Sequence, residues 1–136
     1  MKTELKYMKS PKGFTLFELL AVMVILSILA SIAIPSYKRS QIKARESVLA
    51  EDLYQMRRSI DAYFADNGTY PETLEQLVQN KYLRGIPQDP FTRTNDSWIC
   101  LPPEPAENGQ LAEGSCFDIH SGSDLIGLDD TPYQDW

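Results

Sequence analysis

The chain has 136 residues, 43% of them hydrophobic, with 19 acidic against 13 basic side chains and a net charge of −6 at neutral pH. Such a balance disfavours nucleic acid and anionic surfaces as partners. One histidine (His120), two cysteines and no glycine-rich phosphate loop supply no nucleophile–base or phosphoryl-transfer set, so the chain is not read as an enzyme.

The first predicted element is apolar. Phe14 to Ile34 is a run of 21 residues in which Glu18 is the only charge. As a helix it is about 32 Å long, the thickness of a bilayer core. Lys2, Lys6, Lys9 and Lys12 precede the run, and Lys38, Arg39, Lys43 and Arg45 follow it. The basic residues are balanced, so they do not orient the span. A cleaved secretory signal would share the basic start and would offer Ser31-Ile32-Ala33 as a cut site. The run is longer than an ordinary signal core, however, and a signal has no use for Glu18. A carboxylate at membrane depth costs from about 2.5 kcal/mol upward, so it needs a reason.

The stretch Lys12-Gly13-Phe14-Thr15-Leu16-Phe17-Glu18 resembles the leader-and-cut motif of type IV pilins and of the pseudopilins of type II secretion. The resemblance implies that prepilin peptidase cuts between Gly13 and Phe14 at the cytoplasmic face and that the new amine of Phe14 is methylated. Residues 1–13 would be the leader, 14–35 the transmembrane and filament-core helix, and 36–136 an extracytoplasmic head. It also implies a bacterial inner-membrane location with the head in the periplasm, and assembly into a periplasmic pseudopilus or surface pilus. Partners would be copies of the chain itself, other pilins or pseudopilins, and an inner-membrane assembly platform with its ATPase. Glu18 then has a physical role. In a filament the helices leave lipid, and Glu18 can pair with the Phe14 amine of a neighbour. Buried ion pairs are better attested as registry devices than as sources of stability.

After Pro35, which is expected to kink the helix, apolar residues continue at helical spacing: Ile42, Val48, Leu49, Leu53, Met56, Ile60, Tyr63 and Phe64. One helix from Phe14 to about Asp66 is predicted, stopped by Asn67-Gly68 as a left-handed cap. A second, short helix is predicted from a cap at Thr69 or Tyr70 with Pro71 in its first turn, running to about Asn80 with Leu74, Leu77 and Val78 inward. The order DNGTYPETLEQLVQNKYLRGIPQDP, residues 66–90, is similar to the segment after the long helix in the major pseudopilin of type II secretion, the G-type branch.

The C-terminal third reads as strand and loop. Residues 97–101 and 115–119 are short alternating runs, predicted to pair across a polar connection, with a third short strand near Thr131–Tyr133. Cys100 and Cys116 fall in the two runs, and an extracytoplasmic head permits a disulfide between them. The predicted fold is α+β: a pilin-like ladle with a long N-terminal helix, a short second helix and a small antiparallel sheet.

From Glu46 onward there are 17 acidic and 5 basic residues, net −12. Within this excess, residues 120–130 gather Asp124, Asp129 and Asp130 with two serines and two glycines. Ca2+ favours six to eight oxygens on a wrapping loop. The run does not match an EF-hand, but it resembles loosely the calcium loop of the major pseudopilin, and a solvated acidic turn explains it equally well. His120 is read as a strand-end side chain. Two functions follow: a structural filament subunit, or a membrane-anchored calcium-dependent binding module that does not polymerise. Gly13 with Glu18 discriminates them, because a simple anchor needs neither.

Overall fold

The computed structural model describes residues 12–136. Residues 1–11 of the expected leader lie outside the described residues. The elements are α1 (Leu16–Asn67), α2 (Leu74–Gln79), β1 (Ile99–Leu101), β2 (Asp118–His120) and a 3-10 turn (Tyr133–Asp135). This is the α+β, pilin-like layout of the sequence reading. Compact contacts divide the chain into two units between Lys38 and Arg39.

In the first unit α1 is apolar and exposed along its length. It is long and apolar enough to cross a membrane, and none of its apolar window is buried within the chain. Pro35 stands inside α1. Ser27 and Ser31 turn their hydroxyls back onto the carbonyls of Met23 and Ile28, both at 2.7 Å. That satisfies each donor without water, as a segment surrounded by hydrocarbon or by other helices requires.

In the second unit the rest of α1 forms the floor of the core. Leu49, Leu53, Met56, Ile60 and Tyr63 are buried. Their spacing alternates four and three, which keeps one stripe of the helix facing inward. Val48, expected in that stripe, is 50% exposed; it stands one residue ahead of Leu49 and so a hundred degrees off the stripe. Leu74, Leu77, Trp98, Cys116, Ile119 and Tyr133 complete the core. Gly68 closes α1 at φ 74°, and its N–H reaches the Phe64 carbonyl at 2.8 Å.

Three expectations are corrected. The second helix begins at Leu74 after Thr73, not near Thr69 or Tyr70. Pro71 is buried, and its carbonyl accepts the N–H groups of Ser115 and Cys116. That tie keeps residues 70–72 extended and postpones the helix. The paired strands are three residues each, in antiparallel register with Cys100 opposite Ile119. No third strand forms at Thr131–Tyr133 among the described residues: Ile126 and Pro132 make one isolated bridge, and the 3-10 turn follows.

Asp89 is fully buried and fully satisfied. Its carboxylate accepts the N–H groups of Phe91 (2.8 Å) and Thr92 (3.2 Å) and the Ser121 hydroxyl. It thus ties the turn after Pro87 to the segment following β2.

Candidate functional site: the helix start and the C-terminal loop

At the head of α1, a Cβ built on Gly13 would meet nothing within 4 Å. The chain's own packing therefore does not demand glycine there. Phe14 is 88% exposed. Glu18 Oε2 accepts the Thr15 N–H at 2.9 Å and the Thr15 hydroxyl at 3.2 Å, while Thr15 Oγ1 accepts the Glu18 N–H at 3.2 Å. This is a reciprocal capping box, in which residues three apart satisfy each other's orphan donors. Sequence reasoning gave Glu18 a partner in a neighbour and missed the one in its own first turn. The signal was present as Thr15-x-x-Glu18. The box also holds the carboxylate at the start of α1, four positions from Phe14.

Cys100 and Cys116 form a disulfide, 16 residues apart in sequence. Just beyond it, Arg57 on α1 donates Nε to Asp118 Oδ1 at 2.7 Å and its terminal nitrogen to the carbonyls of Ile119 (3.0 Å) and Trp136 (2.7 Å). His120 lies at the end of β2, with Nε2 at 3.2 Å from Asp118 Oδ2 and Nδ1 at 2.6 Å from the Gln134 carbonyl. Burial alone would raise Asp118, but the Arg57 hydrogen bond, the Ile119 N–H and the positive charge of Arg57 together hold it below the ordinary carboxylate value. Glu46 makes a second tie. Its Oε1 accepts the Leu128 N–H at 2.7 Å and the Tyr133 hydroxyl at 3.0 Å. Burial, then that hydrogen bond, push the Tyr133 phenol up to about 12.

The loop proposed for calcium is placed by these ties. Gly127 N–H reaches the Thr131 carbonyl at 2.8 Å, Asp130 sits at φ 65°, and Asp129 Oδ1 accepts the Thr131 N–H at 3.1 Å. Asp124 is exposed. Ser121 and Ser123 are buried, with Ser121 committed to Asp89 and to the Ser123 N–H. Both serine hydroxyls are thus engaged in hydrogen bonds within the fold. Among the described residues no three His, Cys, Asp or Glu side chains gather to hold a metal ion. As placed, Asp124, Asp129 and Asp130 do not fit a carboxylate cage for Ca2+.

Comparison with known proteins agrees with the geometry at the helix start. The family described as Prokaryotic N-terminal methylation motif matches residues 8–34. Type II secretion system core protein G of Klebsiella michiganensis is 33% identical over 99 residues, covering 61% of this chain and 70% of the relative. The Vibrio cholerae protein of the same name is 33% identical over 102 residues, covering 64% and 70%. That of Escherichia coli K12 is 30% identical over 130 residues, covering 84% and 88%. No solved structure matches. With the methylation motif at the start of its apolar helix and relatives aligned over most of both chains, the chain belongs to the type II secretion system core protein G family, the G-type pseudopilins.

Proposed function

We propose that this chain is the polymerising subunit of a type II secretion pseudopilus, cut between Gly13 and Phe14 by prepilin peptidase and methylated on the Phe14 amine. Family membership makes it a structural pseudopilus subunit rather than an enzyme, anchored by its apolar helix in the inner membrane. The finer reading is that the head stands in the periplasm and the helices pack side by side once assembled. An assembly platform with its ATPase would drive the subunits out of lipid.

The observation that carries the reading is the start of α1. An exposed phenylalanine, a glycine that the fold does not need and a carboxylate held four residues away occupy one end of an otherwise bare apolar helix. A peptidase supplies the need for glycine. A neighbour's Phe14 amine supplies the charge that Glu18 lacks within its own chain. In the monomer the Thr15 N–H and hydroxyl solvate the carboxylate in the meantime.

The test separates the two partners of Glu18. Glu18→Ala should leave membrane insertion and cleavage intact but abolish sheared filaments, because a neighbour's buried amine would lose its partner at a cost of roughly 3–5 kcal/mol. Thr15→Ala removes the hydroxyl of the capping box and keeps the carboxylate, so it should still assemble. Intact mass should show a chain starting at Phe14 with one added methyl. Filaments from Glu18→Ala at wild-type yield would sink the pairing mechanism.

Calcium is a separate proposal, supported by the loop's resemblance and its oxygen content. The aspartates would have to regroup around the ion, with backbone carbonyls making up the coordination. A higher melting temperature in millimolar calcium than in chelator, lost in Asp124→Ala and Asp129→Ala, would support it. An unchanged melting curve would remove it.

A further inference from the structure

The two sulfurs of the Cys100–Cys116 bridge are not equally covered. Cys116 is fully buried. Its N–H is held by the Pro71 carbonyl at 2.9 Å, and the Ser115 hydroxyl just before it donates to Glu72. Cys100 is only half-buried, and it lines a groove of about 220 Å³. Exchange at a disulfide needs a thiolate to reach one sulfur, and it expels the other. With Cys116 closed off, the approach is to Cys100.

That groove is charged on one side of the balance. Glu72, Glu75 and Asp96 line it, all three exposed, and no basic residue does. Its apolar part comes from buried Leu74 and Trp98, and the Trp98 indole is fixed by donating to the Pro87 carbonyl at 2.8 Å. Arg93 lines a neighbouring groove that shares Asp96. Counting it, three acids stand against one base and the balance is still negative. The chain from Glu46 onward is itself net −12, so no positive surplus lies behind the groove. A cleft lined by one sign of charge raises the local concentration of the opposite sign and repels its own. An anion approaching Cys100 is therefore slowed, and a cation is drawn in.

We propose that Cys100 is the site of thiol–disulfide exchange on this head, and that its acidic groove admits neutral and cationic small thiols while excluding anionic ones. In the first step a thiolate bonds to Cys100 Sγ as the bridge breaks, and Cys116 leaves as a thiolate that takes a proton from water. The Asp118 carbonyl lies 3.9 Å from Cys116 Sγ, close enough to accept the resulting S–H. A second thiolate then displaces Cys100, and the two reagent thiols depart as their disulfide, having supplied the two electrons. Burial makes Cys116 a reluctant leaving group, so coverage and charge both protect the bridge. None of this depends on the filament reading above.

The experiment uses the full-length chain in an uncharged detergent and three small thiols: cysteamine, mercaptoethanol and mercaptopropionate. Rates are taken per thiolate and divided by those on an uncharged, exposed reference disulfide. On that scale cysteamine should outrun mercaptopropionate by roughly tenfold, with mercaptoethanol between them. Salt at about 1 M, where the screening length falls to about 3 Å, should collapse the ratio towards one. Glu75→Gln with Asp96→Asn should shrink it at low salt, with a melting curve to confirm the fold; if that variant is unfolded, the salt series on the wild type decides. Peptide mapping of the singly reacted chain, alkylated after unfolding, should find the thiol on Cys100 and the alkyl group on Cys116. An adduct on Cys116 overturns the point of attack. Equal scaled rates for the three thiols at low salt overturn the selection by charge.

Discussion

Arg57, ten residues before the end of α1, reaches Asp118 at the start of β2 with Nε to Oδ1 at 2.7 Å, and the same guanidinium holds two backbone carbonyls. Both side chains are partly exposed, so the ion pair alone contributes little. The carbonyls are what make Arg57 matter. Arg57→Ala is expected to destabilise the folded head by about 1.5–3 kcal/mol, the range for hydrogen bonds to a charged group. Urea unfolding of the detergent-solubilised chain measures it. Asp118 is held below its ordinary value of 3.8, so the stability it contributes is present above that pH and is lost as pH falls through the depressed folded value. The gap between wild type and Asp118→Asn should accordingly be open at pH 7 and close in strong acid.

Glu46 and Tyr133 give a prediction at the other end of the pH scale. Removing the Glu46 carboxylate leaves the Leu128 N–H and the Tyr133 hydroxyl without their acceptor. Glu46→Ala should cost about 1–3 kcal/mol for each group left unsatisfied, and Glu46→Gln should recover much of it. The Tyr133 phenol lies at about 12 in the fold against 10.0 ordinarily. An unfolded chain then loses that proton first as pH rises, so stability falls from about pH 10 upward. Ultraviolet titration should show a tyrosine ionising at about 12 that disappears in Tyr133→Phe.

Asp52 should behave in the opposite sense to Asp118. Partial burial raises it, and the negative charges of Asp89 and Glu51 raise it further. A carboxyl raised by folding costs stability wherever it is ionised, and the cost vanishes below its unfolded value of 3.8. Asp52→Asn should therefore melt slightly higher than wild type at pH 7, with the difference fading as pH approaches 4. A variant less stable at pH 7 would show that the carboxylate makes a contact outweighing its burial.

The disulfide closes the loop between the strands. In the chain-entropy view a bridge across a loop of this size contributes about 3 kcal/mol. Cys100→Ser with Cys116→Ser should lower the melting temperature accordingly, and reductant should do the same to wild type but not to the variant. Gly114 supplies a comparison at the loop's exit. It sits at φ 112°, and a Cβ there would lie 2.2 Å from the Tyr70 carbonyl oxygen. Gly114→Ala is expected to destabilise by at least about 1 kcal/mol through backbone strain, with the disulfide intact on peptide mapping.

The long helix was legible because its signal is local: apolar residues at helical spacing, no breaker from Tyr37 to Ala65, and Asn67-Gly68 to end it. The cysteine pairing was legible because the chain has only two cysteines and both fall in the short runs expected to pair. The start of α2 was misread because Pro71 looks like a first helical residue, whereas the bonds from Ser115 and Cys116 that hold it extended come from more than forty residues away. Arg57 and Glu46 were invisible for the same cause. A charged residue on the polar side of an amphipathic helix reads as solvated until the fold brings up its partner, 61 residues on for Arg57 and 82 for Glu46. The serines at 121 and 123 looked like oxygen donors for an ion because nothing in the sequence marks Asp89 as the buried carboxylate that claims Ser121.

The ties from α1 to Tyr133 and Trp136 also bear on how the head is made. They span 87 and 79 residues, and Tyr133 stacks on Phe91 at 3.9 Å in the middle of the core. The helix can form from local contacts alone, within microseconds or less. The core over its inner face cannot close until the residues at 116–136 arrive, and contacts of such sequence separation slow folding. During synthesis the apolar half of α1 would therefore be committed to its membrane while the stripe from Leu49 to Tyr63 is still uncovered. The newly made chain passes through an interval in which α1 is formed but its stripe from Leu49 to Tyr63 is still bare.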